Sequence, residues 1–152
     1  MNKRSAPAGH AIDDSNTMAL SVLGDIAYRN KNYKLAQSYY KKASGKDLGA
    51  EIKLAQTYQK LSNDKKAREI YEKILKTSSN SYGAYYEMAL LDKERESVYL
   101  RKAVAINPNF IDGWIDLARV EILKDNFDKA MSFLDIVKYI DRVDFRYYYY
   151  LG

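Results

Sequence analysis

Three markers recur at one offset in this 152-residue chain: Leu23 and Leu54, Ala36 and Ala67, and Ala43 and Ile74 are each separated by 31 positions. A repeated interval of this length confines the fold to stacked copies of one helical or hairpin unit, because a unit so short buries its apolar stripe only against a neighbour. The unit itself is legible between Leu20 and Ala43. Leu20, Leu23-Gly24 and Ala27-Tyr28 precede a polar break at Asn30-Lys31-Asn32, and Tyr33, Ala36, Tyr39-Tyr40 and Ala43 follow it. Apolar or small residues fall at i, i+3, i+4 and i+7 on both sides, which predicts two short amphipathic helices sharing one turn. Gly24 and Ala36 are expected to let the two backbones approach, with Leu20, Leu23, Tyr40 and Ala43 filling the space around them.

The same rhythm predicts four units, over about 17–47, 48–81, 82–110 and 111–143, and the start of a fifth from 144. The first helix is expected from Asn16 or Thr17, either able to cap free N–H groups, to Arg29, and its partner from Tyr33 to Ser44. Gly45 can end that partner helix. The second unit carries Leu54-Ala55 and Tyr58, a turn at Ser62-Asn63-Asp64, then Ala67, Tyr71 and Ile74. The third keeps Tyr85, Met88, Ala89, Ala103 and Asn107-Pro108, but its turn is shortened near Asp92-Lys93-Glu94. Glu96 or Ser97 replaces its expected small residue, and its second helix is predicted over Arg95 to Ile106. The fourth has Trp114, Leu117-Ala118, a turn at Asp125-Asn126, then Phe127, Ala130, Leu134 and Val137, with Glu121 standing where a tyrosine is expected.

These residues resemble the tetratricopeptide repeat, whose pattern W-x2-L-G-x2-Y, then A-x3-F, then P belongs to a helix pair of about 34 residues. The resemblance covers about residues 16–152. It implies an all-α, right-handed superhelix (solenoid) of helix-turn-helix pairs, with the first helix of each pair lining a concave groove. It also implies a non-catalytic protein–protein interaction module: a scaffold or adaptor that binds a peptide or helix of a partner and supports assembly of a larger complex. First-helix residues left over from packing are then the partner-binding set: Tyr28, Arg29, Gln56, Gln59, Lys60, Tyr86, Leu90, Ile115, Arg119, Ile122 and Tyr149, with Asp25 on the same face. Arg119→Glu is expected to weaken partner capture without altering stability. The Lys/Asn/Arg clamp with which some members of the family grip chaperone tails has no counterpart at Ser21, Asp25 and Gln56, so a chaperone-tail adaptor is not expected.

Composition narrows the chemistry. With 47% hydrophobic residues the chain can bury a sizeable core, and with only seven Gly and two Pro it reads as helices joined by short turns. Cysteine is absent, so disulfides and thiolate metal sites are excluded. His10, the single histidine, falls in residues 1–15, which have no periodicity and are expected to be a disordered leader. No Gly-rich phosphate loop occurs, and Asp112 and Asp116 read as a solvated pair on one helix face. No catalytic residue, cofactor or metal is therefore expected.

Charge is uneven: residues 1–76 hold 15 Lys/Arg against 8 Asp/Glu, and residues 77–152 hold 10 against 12. A basic first half permits a nucleic-acid platform as an alternative. Lys41, Lys42, Lys65, Lys66, Arg68 and Lys73 fall mainly on second helices, however, where a lysine-rich outer face serves solubility. Leu151-Gly152 lies 34 positions after Leu117-Ala118, so the chain reads as part of a longer array. The other alternative is self-association as a homo-oligomer through Tyr147, Tyr148, Tyr149, Tyr150 and Leu151.

Overall fold

The computed structural model describes residues 16–140. Within them the chain forms α1 (Thr17–Arg29), α2 (Tyr33–Ala43), α3 (Leu48–Lys60), α4 (Asp64–Thr77), α5 (Tyr82–Leu91), α6 (Glu96–Ile106), α7 (Ile111–Leu123) and α8 (Phe127–Ile140). The described residues hold helices and turns and no strand. Two compact units divide between Ile74 and Leu75, inside the last turns of α4.

Helices α1, α2, α3 and α5 start where a short polar side chain takes an orphan N–H, whereas α6 and α7 have no side-chain cap. Asn16 accepts from Ala19 at 3.0 Å, Asn32 from Leu35 at 3.3 Å, Asp47 from Gly49 at 2.9 Å and Ser81 from Ala84 at 3.3 Å. Basic residues close α1, α2, α3 and α4 in their last turns, where they complement the helix dipole.

The turns inside three of the pairs share one construction. Asn32 N–H reaches the Ala27 carbonyl at 2.9 Å and Lys31 N–H reaches Tyr28 at 2.9 Å, with Lys31 at φ 61. Asn63 to Tyr58 and Ser62 to Gln59 repeat this at 2.8 and 2.9 Å, and Asn126 to Glu121 and Asp125 to Ile122 at 2.9 and 3.0 Å. This is the Schellman arrangement, which satisfies the last carbonyls of one helix while reversing the chain into the next. The third pair is different: a 3-10 turn over Lys93–Arg95, capped by the Asp92 side chain at 3.2 Å from the Arg95 N–H, replaces it. The missing residues of that turn are thus absorbed by tighter winding.

In the first unit Ala27, Ala36, Tyr40 and Leu54 form one buried cluster, and Leu20, Ala43 and Ala50 another, with Tyr39 packed against both. A Cβ on Gly24 would lie 2.5 Å from Cε1 and 2.6 Å from Cδ1 of Tyr40, so its bareness admits a ring. One expectation is revised here. Leu23 is only partly buried, and with Met18, Ala19 and Val22 it lines an apolar hollow on α1.

In the second unit Ala89, Leu100, Val104, Leu117 and Val120 form a cluster joining α5, α6 and α7, and Ile115, Ala118, Ala130, Leu134 and Val137 one joining α7 and α8. Gly113 allows this close stacking, because a Cβ there would meet Val104 Cγ1 at 2.7 Å and Phe110 Cδ1 at 2.9 Å.

Candidate functional site

On the first unit, α1 and α3 present polar side chains around a cavity of about 420 Å³ lined by Asp25, Tyr28, Arg29, Tyr40, Lys53 and Gln56. Helical spacing brings Asp25, Tyr28 and Arg29 to one face of α1, and Lys53 and Gln56 to one face of α3. The ring of Tyr40 reaches through from α2 over Gly24 and donates its hydroxyl hydrogen to Asp25 Oδ1 at 2.6 Å. Lys53 Nζ donates to the same oxygen at 2.5 Å.

Burial acts to raise the pKa of Asp25, but the hydrogen bonds from Lys53 and Tyr40 and the charges of Lys53 and Arg29 outweigh it and hold the carboxyl below its ordinary value. Burial and the bond to Asp25 push the Tyr40 phenol well above the usual tyrosine range. Asp25 is therefore a fixed anion with its charge matched locally. Arg29 is exposed at the rim, and no carboxylate lies within ion-pair distance of it among the described residues. Tyr28 is half-buried, edge-on to Tyr33 with centroids 5.2 Å apart, and so offers a steady apolar wall.

Of the residues selected from sequence in this unit, Tyr28, Arg29 and Gln56 come together at the cavity. Gln59 instead accepts from the Tyr71 hydroxyl at 3.0 Å, and Lys60 is exposed beyond the cavity lining. Sequence reasoning placed Tyr40 in the core and passed over Lys53. The signal for Lys53 was its spacing of three from Gln56, which puts both on one helix face.

In the second unit Tyr86, Ile115, Arg119 and Ile122 are drawn into the fold. The Arg119 guanidinium bonds Glu96 Oε1 through Nη2 and Asp116 Oδ1 through Nε at 3.3 Å; Lys93 Nζ adds a contact to Glu96 Oε1 at 3.1 Å. Glu96 stands where a small residue was expected and is only 8% exposed, so Arg119 is the counter-charge of a buried carboxylate. The expectation that reversing Arg119 leaves stability unchanged is corrected on this ground. Tyr86 donates to Asp116 Oδ2 at 2.9 Å and meets Phe110 edge-on at 4.9 Å. Burial and the nearby Asp116 raise its phenol pKa well above the ordinary value. Ile115 is 5% exposed within the α7/α8 cluster, and Ile122 packs against it. Leu90 is open, at 40% exposed. Tyr149, and Tyr147, Tyr148, Tyr150 and Leu151 with it, lie outside the described residues.

Comparison with known proteins agrees with this architecture. The tetratricopeptide-repeat family model matches residues 19–45 and 52–81. A sol locus transcriptional repressor of Clostridium acetobutylicum is 30% identical over 94 residues, covering 59% of this chain; the chain spans 29% of that relative's length. Among solved structures, the MamA protein superposes with a TM-score of 0.70 at 23% identity, over 87% of this chain and 76% of that one. YrrB, described as a TPR protein with an unusual peptide-binding site, superposes with a TM-score of 0.68 at 17% identity, over 91% and 76%. With helix pairs joined by Schellman turns, small residues under the crossing rings, a family match at two successive repeats and the same fold in solved structures, this chain carries tetratricopeptide repeats at residues 19–45 and 52–81 and has the fold of tetratricopeptide-repeat proteins.

Proposed function

We infer that this protein is a non-catalytic adaptor that holds a segment of a partner protein against the first helices of its repeats, and so supports assembly of a larger complex. The observation that carries this reading is the cavity of about 420 Å³ on α1 and α3, where the Tyr28 wall, the Gln56 amide and the Arg29 cation surround a carboxylate already neutralised by Lys53 and Tyr40. An aromatic wall supplies affinity, while an amide and a cation on rigid helices fix the register of a bound chain. Because Asp25 is held ionised and matched in charge, the site does not need to rearrange to receive a ligand.

Site-specific photo-crosslinking in extracts of the source cells tests it. A benzophenone side chain replacing Arg29 is expected to yield discrete polypeptide adducts that are absent when the same group replaces Lys41, which is exposed on α2. Gln56→Ala should reduce the adduct yield. Identical adducts from both positions, or none from position 29, would overturn the assignment.

A further inference from the structure

The second unit carries a concavity built mainly on its second helices, α6 and α8, away from the residues selected for partner binding. It encloses about 350 Å³; Val104 and Ala105 of α6, Trp114 of α7, and Phe133 and Ile136 of α8 make it apolar, and Arg101 is the one charged side chain in its lining among the described residues. Ala105, exposed on the α6 side of the cleft, contributes only a methyl group to its lining. Its walls are held in place before anything enters: Trp114 Nε1 donates to the Pro108 carbonyl at 2.7 Å, and its ring lies 5.8 Å from that of Phe133, tilted by 37°. The Arg101 guanidinium sits over the Phe133 ring at 5.7 Å.

Arg101 is exposed, and no carboxylate lies within ion-pair distance of it among the described residues. Glu121, whose carboxyl feels the Arg101 charge, is already bonded to Asn126 at 2.9 Å and faces Lys129 at 3.9 Å. An apolar cleft with a positioned cation and, among the described residues, no anion in its lining asks for a ligand of matching form.

We propose that this cleft docks a short segment of a partner protein that presents a large apolar side chain beside an Asp or Glu carboxylate. The apolar group lies against Trp114 and Phe133, and the carboxylate pairs with Arg101. Such a carboxylate displaces no ion pair among the described residues, and the cation–π contact already desolvates one side of the guanidinium, which strengthens the new pair. A segment bearing Lys in place of the acid meets the Arg101 charge and is rejected.

Trp114 is the chain's single tryptophan, so its emission reports this cleft alone. A random peptide display library selected against the full chain, followed by titration of the selected peptides with Trp114 fluorescence as readout, tests the proposal. The expected result is a class of peptides with an acidic residue next to a large apolar one that shifts Trp114 emission. Arg101→Glu should weaken their binding roughly tenfold or more, and Arg101→Lys should retain part of it. Ala105→Glu, at an exposed position, should block the cleft, while Tyr28→Ala in the first unit should leave these peptides unaffected; circular dichroism checks that each variant is folded. A selection that returns no peptide able to move Trp114 emission, or peptides that bind Arg101→Glu as tightly as the parent chain, overturns the proposal.

Discussion

Gly24 is bare because the Tyr40 ring occupies the place of its side chain, and that ring is itself buried and tethered through its hydroxyl to Asp25. The ring has no room to retreat, so Gly24→Ala is expected to destabilise the protein by about 1–3 kcal/mol despite the better helix propensity of alanine. Urea unfolding monitored by circular dichroism measures this, and a midpoint at or above the parent's would show that the ring can yield. Arg119 has a comparable structural duty. Arg119→Met leaves Glu96 buried without its principal partner, at a cost of about 2–3 kcal/mol, discounted from the fully buried case because the guanidinium is partly solvated. Arg119→Glu should cost more, and Glu96→Gln in the Arg119→Met background should recover part of the loss. Additive effects in that double-mutant cycle would show that the two side chains act independently.

The turn between paired helices makes its own demand on sequence. Lys31, Ser62 and Asp125 each occupy left-handed backbone, at φ 61, 60 and 61. A β-branched side chain is strongly disfavoured there, so Ser62→Val should lower stability by about 1–2 kcal/mol, whereas Ser62→Asn should be neutral or stabilising. Matched thermal melts of the two variants decide this. In the fourth pair Glu121 accepts from Asn126 Nδ2 at 2.9 Å while 3% exposed, and that hydrogen bond, with Lys129, Lys124 and Arg101 nearby, holds its pKa below the ordinary glutamate value against the opposing effect of burial. A carboxyl whose folded pKa is depressed stabilises the fold above its unfolded pKa and loses that contribution as pH falls through the folded value. Stability should therefore fall on acidification below about pH 4.3, and Glu121→Gln should flatten that dependence. An unchanged slope in the variant would remove Glu121 from the account.

Each repeat buries its apolar stripe against a neighbour, so protection from exchange should follow burial along the array. In the first unit α1 leaves Met18 at 78% and Val22 at 50% exposed, whereas α3 buries Ala50, Leu54, Ala55 and Thr57. Native-state hydrogen exchange should accordingly show α1 amides opening at lower free energy than those of α3, and the reverse order would contradict the stacking described. The bounds of α1, α2 and α6, the turn positions and the shortened third pair were legible from the residues because periodicity, caps and turn signals act over a few positions along the chain. The partner-facing set was legible only in part. Tyr28, Arg29 and Gln56 meet at one cavity, while Ile115 is packed away and Arg119 is bound to Glu96. Whether a polar side chain stays available depends on contacts such as Lys53 with Asp25, Arg119 with Glu96, and Tyr86 with Asp116, separated by 28, 23 and 30 positions. Such pairs leave no periodic trace, since charge pairing is set by distance between stacked helices; local order is therefore written along the chain, and the identity of the open surface arises only when the helices pack.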